Sequence, residues 1–329
     1  MSRPPFVEMP PGVRVHRLRT RRGAFAALDA APSPSLRPGG TPMGDPAGTV
    51  LLVPGYTGSK EDFIGLLGPL AAAGYRAVAV DGRGQYETPG GHGWDSYRLG
   101  ALAEDVLAQA DALTADGATA PLHLAGHSLG GLIARGAVLR AAEGGATPFA
   151  SLTLIASGPG KVAPWQRWKT RFLTAGLPVL GTTGVWRVTH RTKEALPDAA
   201  VEAGTSGTEG VVSGLGVDGF LRRRWLATTP AQLIATGRTL RHEPDRVEQL
   251  AATGVPVHVL SGVRDGVWPI AQLDAMAARL RARRTIIRGS EHSPNSEQPD
   301  ATAAELIDFW RSGLGAPSDG PGSVSGRAD

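Results

Sequence analysis

Short apolar runs recur along the chain at intervals. Six of these runs contain too few polar positions to be strands with one face in water, namely residues 49–53, 76–80, 122–125, 151–156, 257–261 and 284–287. Apolar runs of this length are typical of strands that are buried on both faces of a parallel sheet. They therefore predict the central sheet of an α/β protein.

Most of the segments between these runs have helical periodicity. Apolar residues recur there at the spacing of a helix with one buried side, and predict helices over residues 62–73, 99–113, 129–142, 272–283 and 301–314. Strands that alternate with helices need crossover connections, so we expect a mostly parallel sheet flanked by helices.

The start of the chain has a different pattern. From Val13 onwards, apolar and polar positions alternate on both sides of Arg22 and Gly23. This pattern predicts an N-terminal antiparallel hairpin with one face in water. The Pro-, Gly- and Ser-rich residues 31–48 that follow are predicted to form a loop.

The alternation breaks once, between residue 157 and about residue 250. The interval has a Gly-, Thr- and Ser-rich middle over residues 203–219 and no clear strand pattern. It contains six aromatic residues: Trp165, Trp168, Phe172, Trp186, Phe220 and Trp225. We interpret this interval as an inserted helical lid.

This interpretation divides the chain into four parts. Residues 1–157 would form the N-terminal half of the core, 158–250 the lid, and 251–314 the C-terminal part of the core. Residues 315–329 have the Gly, Ser, Pro and Asp composition of a disordered tail.

Composition narrows the class of protein. With 41% hydrophobic and 19% charged residues among 329, the chain is not a fully disordered protein. The absence of cysteine excludes disulfides, thiolate zinc sites and a cysteine nucleophile. No apolar stretch reaches the roughly 18 residues of a membrane-spanning helix, and the first residues lack the apolar core of a secretion signal. We therefore expect a cytoplasmic protein without stable membrane insertion.

Positive charge is concentrated in the predicted lid. The net charge of the chain is +4, but residues 158–240 contain 11 Lys and Arg against 5 Asp and Glu. The cluster Arg222, Arg223 and Arg224 fits either an acidic substrate group or a solvated helix face. No helix-turn-helix, phosphate-binding loop or stacking platform accompanies the arginines, so no nucleic-acid partner is expected.

The most specific local motif is Gly126-His127-Ser128-Leu129-Gly130. A predicted strand precedes it and a predicted helix follows, which is the context of a nucleophile elbow. In such an elbow the serine lies in a strained turn, and the glycines let strand and helix approach each other. We therefore predict that Ser128 is a nucleophile.

A serine hydroxyl needs a base to take its proton, and histidine is suited to that task. Of the eight histidines, His292 lies in the loop between the last predicted strand and the last helix. His92 also follows a strand-end loop and is a competitor. His127 directly precedes the serine, but its side chain is expected to point away from the base. We predict His292 as the base.

The base needs a carboxylate to orient it. Asp265 follows the predicted strand 257–261, so it should lie at the same sheet edge as His292. Asp81, after the strand 76–80, is the rival, although its neighbours Gly82, Arg83 and Gly84 indicate a structural turn. We predict Asp265 as the orienting residue.

Together these motifs make the chain resemble the α/β-hydrolase fold family, in particular its lid-bearing esterases and lipase-like members. The order Ser128, Asp265, His292 is that of the family. The segments Val53-Pro54-Gly55-Tyr56-Thr57-Gly58-Ser59 and Asp81-Gly82-Arg83-Gly84 also match, and the resemblance covers about residues 13–313.

The resemblance implies an oxyanion hole formed by the backbone N–H groups of Tyr56 and Leu129. The family usually has His-Gly where this chain has Pro54 and Gly55. The replacement removes a side chain that anchors the loop but leaves the backbone donor of Tyr56 in place.

The resemblance also implies a serine hydrolase that cleaves a small-molecule acyl ester, thioester, lactone or amide. Acyltransferases, cofactor-free haloperoxidases and weakly catalytic ligand receptors share the motifs and remain alternatives, and the oligomeric state is open. No metal or organic cofactor is expected. The residues expected to line the substrate pocket, unless they form the lid's own core, are Trp165, Trp168, Phe172, Trp186, Trp225 and Trp268.

Overall fold

The structure is a computed structural model that describes residues 2–32, 46–189 and 216–312. The predicted loop over residues 31–48 and the segment 203–219 lie largely outside these ranges, and the predicted tail over 315–329 lies wholly outside them.

The described residues contain one sheet of eight strands. The strands are β1 (Val13–Thr20), β2 (Gly23–Ala30), β3 (Gly48–Val53), β4 (Tyr75–Val80), β5 (Leu122–His127), β6 (Ser151–Ile155), β7 (Val257–Gly262) and β8 (Arg283–Ile287). Their order in the sheet is β1-β2-β4-β3-β5-β6-β7-β8. The pairs β1/β2 and β2/β4 are antiparallel, and the other neighbours are parallel. The predicted hairpin and mostly parallel sheet are thus confirmed. The expected face in water was wrong for β2, whose residues 25–30 are all buried because β2 lies between β1 and β4 and contacts both apolar layers.

Ten α-helices accompany the sheet in the described ranges, besides two 3₁₀ turns at Lys60–Phe63 and Trp94–Tyr97. They are α1 (Ile64–Ala72), α2 (Leu99–Ala115), α3 (Leu129–Glu143), α4 (Pro164–Thr189), α5 (Gly216–Ala227), α6 (Pro230–His242), α7 (Val247–Ala252), α8 (Ile270–Leu280), α9 (Pro294–Glu297) and α10 (Pro299–Arg311). The predicted end of α8 at residue 283 was wrong. Arg281 has a left-handed backbone with φ +51°, and β8 already begins at Arg283.

Apolar layers cover both faces of the sheet. Along β3, Val50 and Leu52 point into the layer that contains α1 and α10, whereas Leu51 and Val53 point into the layer that contains α2, α3, α7 and α8. This alternation follows from the pleat of a strand. Because both faces are covered, β3 is apolar at successive positions, as the sequence predicts.

The interval between β6 and β7 is helical in its described part and contains no strand there. Helix α4 is interrupted at Gly181, whose φ of +62° suits a residue without a Cβ. It packs on α5 and α6, whereas α7 packs on α3 and α8 of the core. The domain boundaries and the role of this interval as a lid stay predictions. No helix in the described ranges is long and apolar enough to cross a bilayer.

Candidate active site

Ser128 occupies the turn between β5 and α3. Its backbone has φ +53° and ψ −118°, a conformation that costs about 1–3 kcal/mol for a residue with a side chain. A Cβ on Gly126 would collide with the carbonyl of Gly130, and a Cβ on Gly130 would collide with the carbonyl of Val53. The Ser128 N–H donates to the carbonyl of Ile155 on β6 over 2.8 Å. Close packing and this hydrogen bond therefore fix the strained turn.

The structure brings Ser128, His292 and Asp265 together in one line of hydrogen bonds. The Oγ of Ser128 lies 3.0 Å from the Nε2 of His292. The Nδ1 of His292 lies 2.9 and 3.0 Å from the two carboxylate oxygens of Asp265. Because a carboxylate only accepts, Nδ1 must carry the proton, and Nε2 is then free to accept from the serine hydroxyl.

Asp265 is held by its own loop. Its side chain is fully buried, and its Oδ1 accepts the backbone N–H groups of Val267 at 2.7 Å and Trp268 at 3.1 Å. The loops of Asp265 and His292 follow β7 and β8, which are parallel neighbours, so both leave the sheet at the same edge. This packing orients the carboxylate toward His292.

The rival residues are placed differently. Asp81 is buried beside Lys60, 3.2 Å from its Nζ, and accepts the backbone N–H of Lys60 at 2.8 Å. Burial raises the pKa of Asp81 to about 7, against the opposing effect of the Lys60 ammonium. The backbone carbonyl of His92 accepts the hydroxyl of Ser96. Asp81 thus belongs to a buried charge cluster on the opposite side of β3 from β5.

His127 contacts the base, which the sequence did not predict. Its Nε2 lies 2.9 Å from the backbone carbonyl of His292, and the two imidazole rings are 5.2 Å apart. Burial lowers the pKa of His127 to about 3, so the side chain is neutral and donates its one N–H to that carbonyl. The expectation that His127 points away from the base was wrong.

Gln85 anchors the loop that follows β3. Its Nε2 donates to the carbonyl of Gly55 at 2.7 Å, and its Oε1 accepts the N–H of Gly82 at 2.9 Å. A Cβ on Gly55 would lie 3.3 Å from the Cβ of Ser128, so the loop passes directly beside the serine. Gln85 therefore anchors the loop that contains Pro54, the position where α/β-hydrolases usually have a histidine.

The two backbone N–H groups predicted as oxyanion donors belong to residues in segments next to Ser128. Leu129 begins α3 directly after Ser128, and Tyr56 follows Gly55 in the adjacent loop. Neither N–H donates a hydrogen bond to another described residue. The Tyr56 hydroxyl donates to the carbonyl of Leu233 on α6 over 2.8 Å, which ties the loop to the helical interval.

Two of the predicted pocket aromatics lie beside the Asp265 loop. Trp268 is fully buried, with its ring 6.3 Å from that of His292 and its Nε1 donating to the carbonyl of Gly160 at 3.0 Å. Trp165 is about half exposed, and its ring would lie 3.1 Å from a Cβ on Gly266.

The other four aromatics lie within or on the helical interval. Trp225 is buried with Leu177 and Leu233 on the side of Tyr56, and its ring is 6.5 Å from that of Trp186. Trp168 and Phe172 are exposed, and their ring centroids are 4.2 Å apart.

Arg224 is not available to a substrate. Its guanidinium is buried, 2.7 Å from the carboxylate of Asp62, and it donates to the carbonyl of Ser2 at 2.6 Å. Arg223 lies 3.9 Å from Glu87. The interpretation of this cluster as a solvated face or a substrate site is therefore wrong for Arg224, which is a buried ion-pair partner.

In the described ranges, no three His, Asp or Glu side chains are grouped as metal ligands. The polar side chains at the site are engaged with one another, since Asp265 and Ser128 bond to the His292 ring and His127 bonds to its carbonyl.

A sequence model described as the alpha/beta hydrolase family matches residues 50–305. Among curated proteins, none gives a significant sequence match.

Several solved structures share the fold. An esterase from Thermogutta terrifontis is 19% identical, aligns over 92% of this chain and 100% of its own, and has a TM-score of 0.64. A hydrolase from Pseudomonas aeruginosa is 21% identical over 91% and 98% of the two chains, with a TM-score of 0.64. An enol-lactonase from Burkholderia xenovorans is 17% identical over 89% and 99%, with a TM-score of 0.62. At these identities the likeness establishes the fold.

Proposed function

Because this chain belongs to the α/β-hydrolase family, we propose that it is a serine hydrolase that cleaves carboxylic ester-type bonds. The observation that carries the proposal is the unbroken line of hydrogen bonds from the Ser128 Oγ through the His292 ring to the Asp265 carboxylate. The same residues can act on thioester, lactone or amide carbonyls, since each reaction is an acyl transfer to water.

The first half of the reaction transfers the acyl group to the enzyme. The Oγ of Ser128 attacks the carbonyl carbon while the Nε2 of His292 takes the hydroxyl proton. The tetrahedral intermediate then expels the alcohol, which receives that proton from His292. The Asp265 carboxylate, shielded from water, stabilises the imidazolium and holds its orientation.

The second half releases the acid. Water gives a proton to the Nε2 of His292 and attacks the acyl carbon. As the new tetrahedral intermediate collapses and releases the acid, His292 returns that proton to the Oγ of Ser128. The backbone N–H groups of Tyr56 and Leu129 would donate to the oxyanion in both halves. Each such donor lowers the barrier by roughly 3 kcal/mol when correctly placed.

Two residues act through others in this proposal. Gln85 positions the Tyr56 N–H by holding the carbonyl of Gly55, and His127 positions the base by holding the carbonyl of His292. Both contacts restrict backbone atoms within one or two residues of the reacting groups. Small displacements there are costly, because reacting atoms must be held close to attack geometry.

The helical interval of residues 158–250 would act as the lid and bound the substrate pocket. Trp165 lies against the Asp265 loop, and Trp186 lies on the side of Tyr56. Trp225 and Trp268 are buried in core clusters and would support the pocket wall from behind. Aromatic walls of this kind suit an apolar acyl or aryl group. Trp168 and Phe172, which are exposed, could contact only a substrate that extends out of the site.

A fluorophosphonate probe, which labels an activated serine, tests the proposal together with p-nitrophenyl esters of varied chain length. We expect labelling and ester hydrolysis by the wild type and loss of both in Ser128→Ala. The matched control is Ser151→Ala, since Ser151 is a buried serine whose hydroxyl bonds to His123 in the sheet. Labelling of Ser128→Ala at the wild-type rate would overturn the assignment.

A further inference from the structure

Helix α4 carries a stripe of exposed apolar side chains. Trp168 is 64% exposed, Phe172 61% and Val179 83%. Trp165, at 48%, lies one turn before them, and Leu180 is equally exposed at the far end. Side chains of this size are rarely exposed together on one face unless the face meets an apolar partner.

The stripe follows from the rotation of the helix. At about 100° per residue, positions 165, 168, 172 and 179 fall within roughly 60° of one another. Thr170, Thr174 and Leu177 fall on the opposite side and are buried. Helix α4 therefore already uses its inner face for packing, and the stripe is a second, separate apolar face.

Helix α4 and the residues just before it carry positive charge and no negative charge. Residues 161–189 contain five Lys and Arg and no Asp or Glu. Lys169 and Arg171 are exposed on either side of the stripe. The Nζ of Lys169 lies 4.3 Å from the centroid of the Trp165 ring, which places a cation at the edge of the apolar surface.

We propose that this face of α4 docks on the surface of an anionic lipid bilayer. Tryptophan is favoured at the boundary between headgroups and acyl chains, and flanking Lys and Arg are attracted to anionic headgroups. The protein binds peripherally, with the stripe at the level of the headgroups, and no segment crosses the bilayer.

Charge favours a membrane over a second copy of the chain. A two-fold interface places the same patch on both partners. Two copies of this face would bring like charges together without an acidic residue between 161 and 189 to compensate. An anionic bilayer supplies the missing negative charge.

The docking face adjoins the proposed active site. The ring of Trp165 lies against Gly266, directly after Asp265, and the N–H of Ala163 donates to the carbonyl of Val267 at 2.9 Å. Docking would therefore place the site near the bilayer surface. The binding itself goes beyond the proposed function, because it requires no turnover.

The test measures binding of full-length Ser128→Ala to vesicles, so that a failure of the proposed chemistry cannot affect the result. Co-sedimentation is compared for phosphatidylcholine vesicles and for equal mixtures of phosphatidylcholine and phosphatidylglycerol. We expect binding to the anionic vesicles that weakens in high salt. Adding Lys169→Gln and Arg171→Gln should weaken it roughly thirtyfold, at about 1 kcal/mol per charge.

A second variant tests the apolar contribution. Replacing Trp168→Ser together with Phe172→Ser should weaken vesicle binding by at least about tenfold. The matched control is Trp94→Ser, since Trp94 is 56% exposed but lies in a short turn before α2. This control should bind like the parent. Circular dichroism confirms that each variant is folded.

Equal binding to neutral and anionic vesicles would overturn the proposal. So would the absence of binding to either kind of vesicle, or α4 variants that bind anionic vesicles as tightly as the parent. Size-exclusion chromatography with light scattering gives a further outcome. Dimers that dissociate in Trp168→Ser with Phe172→Ser, without vesicle binding by the parent, would make this face an interface between copies and also overturn it.

Discussion

His127 donates a hydrogen bond to the backbone carbonyl of His292 over 2.9 Å, so the residue before the proposed nucleophile holds the residue proposed as its base. Replacing the donor tests this link. We expect His127→Leu to lower kcat for a p-nitrophenyl ester by about fivefold, since a hydrogen bond contributes on the order of 1 kcal/mol. His127→Gln, which keeps an N–H donor, should recover part of the loss. Equal losses in both variants would reduce the role of His127 to packing.

The carboxylate of Asp265 sets the tautomer of His292. In Asp265→Asn the amide oxygen can still accept the N–H groups of Val267 and Trp268, which leaves the NH2 group facing the imidazole. The imidazole would then adopt the other tautomer, in which Nδ1 accepts from the amide and Nε2 carries the proton. In that form Nε2 cannot accept the proton of the serine hydroxyl. We expect kcat to fall by about 10⁴-fold, measured with a p-nitrophenyl ester. Asp274→Asn, on an exposed carboxylate, is the control and should stay near the wild-type rate.

We expect the loss of Gln85 to lower kcat more than its effect on the free energy of unfolding would suggest. Gln85→Ala releases the carbonyl of Gly55, and we expect kcat to fall by up to about a hundredfold with a smaller change in KM. Gln109→Ala is the matched control, because Gln109 is equally buried but lies on α2. Both variants should lose stability in urea titrations, and only Gln85→Ala should lose rate. Similar rates for the two variants would contradict the positioning role.

His258 makes stability depend on pH. It is fully buried, its Nε2 lies 2.9 Å from the Thr285 hydroxyl, and burial lowers its pKa to about 3. Below about pH 6.5 the unfolded chain binds a proton at this histidine and the folded chain does not, so its contribution to stability is lost as the pH falls.

We therefore expect the unfolding free energy of the wild type to fall more steeply than that of His258→Gln between about pH 6 and pH 4. The difference should approach 1.4 kcal/mol per pH unit, measured by urea denaturation. His242→Gln, at an exposed histidine, is measured beside it as a control for the His-to-Gln substitution itself. Parallel curves for the wild type and His258→Gln would contradict the pKa shift.

Arg224 should act on stability and not on substrate choice. Arg224→Met leaves Asp62 buried without its partner, which costs about 3–5 kcal/mol. Arg223→Met, at a partly exposed side chain 3.9 Å from Glu87, should cost about 1 kcal/mol or less. Urea titrations measure both. A stable Arg224→Met with a selective loss on anionic esters would contradict the ion-pair role.

The features that the sequence predicts well are local. The elbow follows from residues within five positions of one another, since Gly126, Ser128 and Gly130 meet in a single turn. The buried strands follow from apolar-rich runs, because a strand covered on both faces offers few positions for a polar side chain, and those it has need a hydrogen-bond partner. That Ser128, Asp265 and His292 meet in space then follows from the rule that parallel strands end at the same edge of the sheet.

The features that the sequence does not predict depend on distant partners. The amide of Gln85 bonds to a carbonyl 30 residues away, and a single glutamine after a turn has no pattern that indicates this. Arg224 lies in a run of arginines typical of a solvated face, yet its partner Asp62 is 162 residues earlier. The spacing of Trp168 and Phe172 predicts a common helix face, but not whether another element covers it.

The strand order has a consequence for the newly made protein. Ser128 is synthesised 164 residues before His292, and the strands that position the acid and the base form the last edge of the sheet. A ribosome-bound chain thus has its elbow sequence early but lacks the histidine proposed as its base. Under the proposed mechanism, the serine would become reactive only after the final strands dock and bring Asp265 and His292 to it, so incomplete chains would lack that reactivity.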